Sequence, residues 1–260
     1  MVERRSYAGT RRPDWGAAQN ALLISTYNEG MNSTYAPTPV ASEAVVRSFM
    51  GRTYSWMTAG LVLTTIIAYL TSTNPAALDF AYRNSLILII AQFGVVMFLS
   101  FAISRVNSMV AGVLFMVYAA VTGMTFSLIL QRYTGANVTA AFATSAVTFG
   151  AMSAYGYFTK LNLSAMGSFF MYALIGLVIA MIVNIFLNSG PLGLVISIVG
   201  VVLFAALTAY DTNRLRQMAL SGVNGEAAEK GAIYGALQLY LDFINMFLFL
   251  LQLFGGGRRS

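Results

Sequence analysis

The sequence predicts an all-α membrane protein of seven transmembrane helices, with the last helix at the centre of the bundle. Three observations predict it. Hydrophobic residues make up 58% of the 260-residue chain and charged residues only 9%, with a mean hydropathy of +0.71, whereas soluble domains carry about 25% charged residues. Seven apolar segments, each near the ~20 residues that a bilayer requires, are separated by joints that carry breakers or charge. The seventh segment is apolar on every side but one.

In chain order, residues 1–45 come first and read as a polar, loosely held arm. They are rich in Ser, Thr and Asn, with Pro37 and Pro39, a composition that cannot bury enough apolar surface to fold. The transmembrane domain is expected over 46–254, with spans at about 54–72, 85–104, 108–130, 138–158, 165–187, 192–212 and 232–254. The joints between them are TNPAALDFAYRN, SRVN, QRYTGAN, TKLNLS, NSGP and the longer RLRQMALSGVNGEAAEKG. No soluble domain is inserted, so the spans form one bundle. Residues 255–260 make a short basic tail.

The last span, AIYGALQLYLDFINMFLFLLQLF, carries Asp242 near its middle. An ionised aspartate at that depth costs roughly 2.5–3.5 kcal/mol on insertion scales, so it must face protein or water. Gln238, Asp242, Asn245 and Gln252 fall at i, i+4, i+7 and i+14, one polar line on an oily helix. Such a helix belongs inside a bundle.

Lys and Arg orient the chain. With the N-terminus in the cytosol, the inner side holds Arg47, Arg52, Arg105, Lys160, Arg214, Arg216 and Lys230, and the outer side Arg83, Arg132, Arg258 and Arg259. The inner excess favours a cytosolic N-terminus. No charged start followed by a short apolar stretch and an A-x-A site lies near Met1, so no cleavable signal peptide is expected.

Composition also excludes chemistry. The chain has no cysteine and no histidine, which removes thiolate nucleophiles, disulfides, Cys/His zinc sites and imidazole bases. Basic residues are scattered at segment ends rather than clustered, so nucleic acid is not an expected partner. No GxSxG, Walker A or HExxH motif occurs, and no catalytic residue or cofactor is expected. Of the nine acidic residues, only Asp211 and Asp242 lie in or against spans. They are symmetric about residues 226–227, so an antiparallel hairpin of the last two helices brings them to similar depth. Two carboxylates side by side in low dielectric cannot both ionise cheaply. Sharing a proton, they would make a pH-switched gate or a cation site; the plainer alternative is an interhelical hydrogen bond. Arg105 ends the second span and Arg214 follows Asp211 by three residues. Either could neutralise an ionised aspartate, or simply anchor its helix at the inner face.

The segments TGMTFSLIL (122–130), VTAAFATSAVTF (138–149), GYFTKLNLSAMGSFF (156–170), AYDT (209–212) and LYLDFINMF (239–247) resemble the Bax inhibitor-1 family, over about residues 45–254. The resemblance implies two three-helix layers around a central seventh helix. It implies a pH-sensitive calcium leak in which Asp211 and Asp242 form the sensing pair and touch calcium in transit, while Arg105 latches the closed state. Gln238, Asn245 and Arg214 would support the pair. It also implies a second reading, a non-transporting regulator that binds a membrane protease or a death-pathway partner. Intramembrane aspartyl proteases likewise place one aspartate in each of two neighbouring helices. Their second one sits in GxGD, whereas this chain has Leu239-Tyr240-Leu241-Asp242. The short loops and absent cysteine point to a bacterial inner membrane.

Overall fold

The computed structural model describes residues 43–102, 105–161 and 163–256, so residues 1–42 of the arm and the last residues of the tail lie outside the described residues, while 43–45, expected in the arm, already belong to the first helix. Helix α1 spans Glu43–Thr73. Its buried residues, among them Val46, Phe49, Met50, Thr53, Met57, Gly60 and Thr64, recur every three or four positions and form one stripe. Pro75 ends it and opens α2, Pro75–Arg83, whose N-cap Asn74 accepts hydrogen bonds from the amides of Ala76 and Ala77. Helix α3 covers Ser85–Ala102, bent by 72° from α2. Helices α4, Ser108–Leu130, and α5, Gly135–Phe158, start at Asn107 and Thr134, whose side chains accept from the amides of Val110 and Asn137. After a 3-10 turn at Leu163–Met166 come α6, Gly167–Leu187, α7, Gly190–Leu220, and α8, Gly225–Gly256.

Two joints differ from expectation. The stretch TNPAALDFAYRN holds a nine-residue helix, because Asn-Pro supplies a cap and an N1 proline ahead of good helix formers. The long polar joint before the last span is almost all helix: α7 runs on to Leu220 and α8 begins at Gly225. Its Leu, Arg, Gln, Met, Ala, Glu and Lys residues favour helix whether or not lipid surrounds them. What remains is the turn Ser221–Asn224, which reverses on Gly222 at φ 79° and leads into Gly225 at φ 58°, the left-handed region where glycine costs nothing.

The expected count of seven spans is met only in part. Five described helices are long and apolar enough to cross a bilayer: α1, α4, α6 with its 3-10 turn, α7 and α8; the bent pair α2–α3 is a sixth if taken as one span. Helix α5 is long enough at 24 residues, but its Thr, Ser and Asn residues lower its hydropathy.

Helix α8 packs against α1, α4, α5 and α7. Of its membrane-length window 61% is buried, against 11% for the span containing α6. Leu239, Tyr240, Met246 and Leu251 are wholly buried. Phe115 and Tyr118 of α4 meet the Tyr240 ring edge-on at centroid distances of 5.6 and 5.8 Å, a favoured aromatic geometry. The Tyr240 hydroxyl meets Thr64 Oγ1 of α1 at 2.7 Å, and that threonine donates to the Ala119 carbonyl at 2.8 Å. One residue thereby ties three helices together. Helix α6 has α7 and the 3-10 turn as its close packing partners.

Candidate functional site

The site begins with where α5 lets α7 lie. Gly156 rests against the backbone of α7: a Cβ there would come within 2.2 Å of the Ala209 carbonyl oxygen. Small residues permit such close approach between membrane helices. Two residues beyond Asp211, the buried Asn213 donates to the Gly156 carbonyl at 3.1 Å and accepts from Gln217 at 2.6 Å. One residue beyond it, Thr212 meets Ser153 of α5 at 3.0 Å, and Ser153 in turn meets the Tyr54 hydroxyl of α1. The backbone around Asp211 is therefore fixed against α5 by close packing at Ala209 before it and by polar ties at Thr212 and Asn213 after it.

Asp211 and Asp242 are 7% and 4% exposed. Each carboxyl group acts on the other across the packed α7–α8 pair. One oxygen, Asp242 Oδ2, is buried and finds no donor among the described residues. A buried acceptor left unsatisfied is costly.

The pair faces a cavity of about 610 Å³ walled by α6, α7 and α8, with Phe93 of α3 also on its lining. Gln238, Asn245 and Arg214 line it together with both aspartates. Gln238 and Asn245 are half-buried, on the less covered face of α8, and Asn245 also donates to the Leu241 carbonyl at 2.8 Å. Gln252, the last member of the polar line, lies apart from them and accepts from Ser197 at 3.0 Å. Arg214 is exposed, and its charge acts on Asp211.

Arg105 is not brought to this group. It stands exposed in the turn before α4, absent from the cavity wall, and makes no ion pair among the described residues. Neighbouring residues of the turn are engaged instead. Lys230 donates to the Val106 carbonyl at 3.2 Å, and the Ser108 amide donates to Glu226 at 3.2 Å. Glu229, one turn further along α8, accepts from Arg52 at 3.0 Å and from Trp56 at 3.2 Å. The first turns of α8 are thus tied to α1 and to the α3–α4 turn. Sequence reasoning missed these ties because it placed Glu226, Glu229 and Lys230 in a loop. Their i, i+3 and i+4 spacing was the available signal.

The profile of the family described as Inhibitor of apoptosis-promoting Bax1 matches residues 46–259. The inner membrane protein YbhL of Escherichia coli K12 is 42% identical over 224 residues, which is 84% of this chain and 96% of the relative. An uncharacterized protein of Deinococcus radiodurans is 55% identical over 208 residues, covering 80% of this chain and 90% of its own. A third relative, from Rickettsia prowazekii, is 40% identical over 215 residues, 82% of this chain and 91% of the relative.

Proposed function

Because the chain belongs to the Bax inhibitor-1 family of membrane proteins, we propose that it is a pH-sensitive cation leak, with calcium as the permeant ion, gated by one proton shared between Asp211 and Asp242. The observation that carries this reading is the buried Oδ2 of Asp242, without a donor and beside a second carboxyl at the wall of a cavity. With the proton in place the pair holds one negative charge. Loss of the proton leaves two, and repulsion in low dielectric drives an aspartate towards the nearest cation. Arg214, on the same cavity wall, serves as that cation better than Arg105 does. The ion pair closes the path as pH rises, and the returning proton loosens it as pH falls.

Calcium takes six to eight oxygen ligands. Among the described residues no group of three or more His, Cys, Asp and Glu converges. A calcium ion passing two carboxyls and the amides of Gln238 and Asn245 keeps part of its water, which suits transit over storage. The name of the Escherichia coli relative supports a bacterial inner membrane, and, if the chain crosses it seven times, the excess of Lys and Arg on one side supports a cytosolic N-terminus.

The test is calcium entry into liposomes carrying the purified full chain, followed across pH 5–8. Entry is expected to grow as pH falls. Entry no greater than in protein-free liposomes at every pH would overturn the leak and leave the chain as a regulator that binds other membrane proteins.

A further inference from the structure

The cavity is larger than a bare ion needs, and most of its wall cannot ligate one. We propose that it binds a lipophilic organic cation, an ammonium or phosphonium centre carrying aromatic or alkyl groups, with Asp242 as the counter-charge. The inference rests on the reading that the aspartate pair faces the path. It adds a class of ligand that an inorganic-cation leak does not require.

Four features fit such a ligand. The volume of about 610 Å³ falls within the roughly 300–1,000 Å³ of small-molecule sites, which are mostly apolar with a few placed polar groups. The rings of Phe93, Phe170, Phe204 and Phe249 line it, and the face of an aromatic ring attracts a cation. Asp211 has the charge of Arg214 acting on it, whereas Asp242, 4% exposed, has Oδ2 without a donor. Finally, an organic cation brings its own apolar coat and gives up little hydration on entering, whereas a metal ion finds only the few oxygens of the two carboxyls, Gln238 and Asn245 and has to keep part of its water. An anion of the same shape would be repelled by the carboxylate, and a neutral one would leave its charge unbalanced.

Among the described residues, the titratable and charged groups facing the cavity are Tyr210, Asp211 and Arg214 of α7 and Asp242 of α8; α3 and α6 contribute none. The oxygen that a proton satisfies is the one that the cation would satisfy, so the two compete. Affinity therefore rises with pH, by at most about tenfold per unit for a single displaced proton.

The test uses the full chain in nanodiscs, with radiolabelled tetraphenylphosphonium as probe, no calcium present, and binding to empty nanodiscs subtracted. Saturable binding of one probe per chain is expected. Asp242→Asn should weaken it at least tenfold, and so should Leu174→Trp, which narrows the cavity from the α6 side and leaves both carboxyls in the chain. Radiolabelled tetraphenylborate, of the same shape and opposite charge, should show no saturable binding in a separate sample. Absence of saturable phosphonium binding, equal affinity in Asp242→Asn, or saturable binding of tetraphenylborate would each overturn the proposal. If Asp242→Asn does not fold, the tryptophan variant and the borate decide. Calcium flux is not read here, so failure of this binding and failure of the leak are separate results.

Discussion

Gly156→Ala puts a methyl group where α5 and α7 touch, and its cost can be worked from the contacts. The new carbon would lie 2.2 Å from the Ala209 oxygen and 2.9 Å from its carbonyl carbon and Cα. All three are backbone atoms, so no side chain can swing aside, and the helices must part by roughly 1 Å to reach ordinary contact. Overpacking of this kind costs about 1–3 kcal/mol. The separation also stretches the bond from Asn213 to the Gly156 carbonyl, now 3.1 Å. Asn213 is 2% exposed, and a buried amide left without its partner costs a further 1–3 kcal/mol or so. The expected loss is therefore about 2–6 kcal/mol, partly offset because alanine favours the helix by roughly 1 kcal/mol over glycine. Gly176→Ala is the control, since a Cβ there meets nothing within 4 Å. Unfolding of both variants in mixed micelles, read by tryptophan fluorescence and far-ultraviolet dichroism, gives the difference. If the two variants differ by less than about 0.5 kcal/mol, the close α5–α7 crossing is not what positions Asp211.

Three further outcomes follow from the site. A gate moved by one shared proton changes calcium entry by at most about tenfold per pH unit, because one proton contributes about 1.4 kcal/mol per unit. Asp211→Asn and Asp242→Asn should each flatten that slope in liposomes, with the double variant adding little, since the two act as a unit; a steeper slope, or one that survives the double change, would require another titrating group. Arg214→Ala should raise entry at alkaline pH while Arg105→Ala leaves it near wild type, and the reverse ranking in the same assay would restore Arg105 as the latch. Tyr240→Phe should cost only about 0.6 kcal/mol in the unfolding assay, the average for a hydrogen bond between membrane helices, because the ring contacts stay and Thr64 still donates to Ala119; a loss above about 2 kcal/mol would mean that the hydroxyl does more than join α1 to α8.

The polar line on the last helix was legible because Gln238, Asp242 and Asn245 break an otherwise uniform apolar run with helical spacing, and a charge in lipid has few places to go. Asp211 was legible by elimination, since every other acid lies in the arm or at a segment end. The choice between Arg105 and Arg214 was not legible. Both sit at the end of an apolar run, and only the continuation of α7 to Leu220 shows that Arg214 stays on the helix that carries Asp211. Helix α6 gave no sign that it walls the cavity. Its residues are apolar on all sides, so periodicity cannot tell a lipid-facing position from one facing a protein cavity. Helix α2 was hidden by its Pro, Asn and charged residues, which read as a linker until the Asn-Pro cap is taken together with the alanines after it.

Helix α6 borders the cavity yet leans on protein along one side only. At 21 residues it is roughly 31 Å long, close to the hydrocarbon thickness of a bilayer, and only 11% of the span that contains it is buried. A thicker or thinner membrane acts on such a helix through its tilt, at a fraction of a kcal/mol per Å of mismatch. The tilt of α6 sets how far Leu174 and Leu177 stand from Asp242. Acyl-chain length is therefore a variable of the site itself, and measurements of flux or binding made in lipids of different thickness describe cavities of different width.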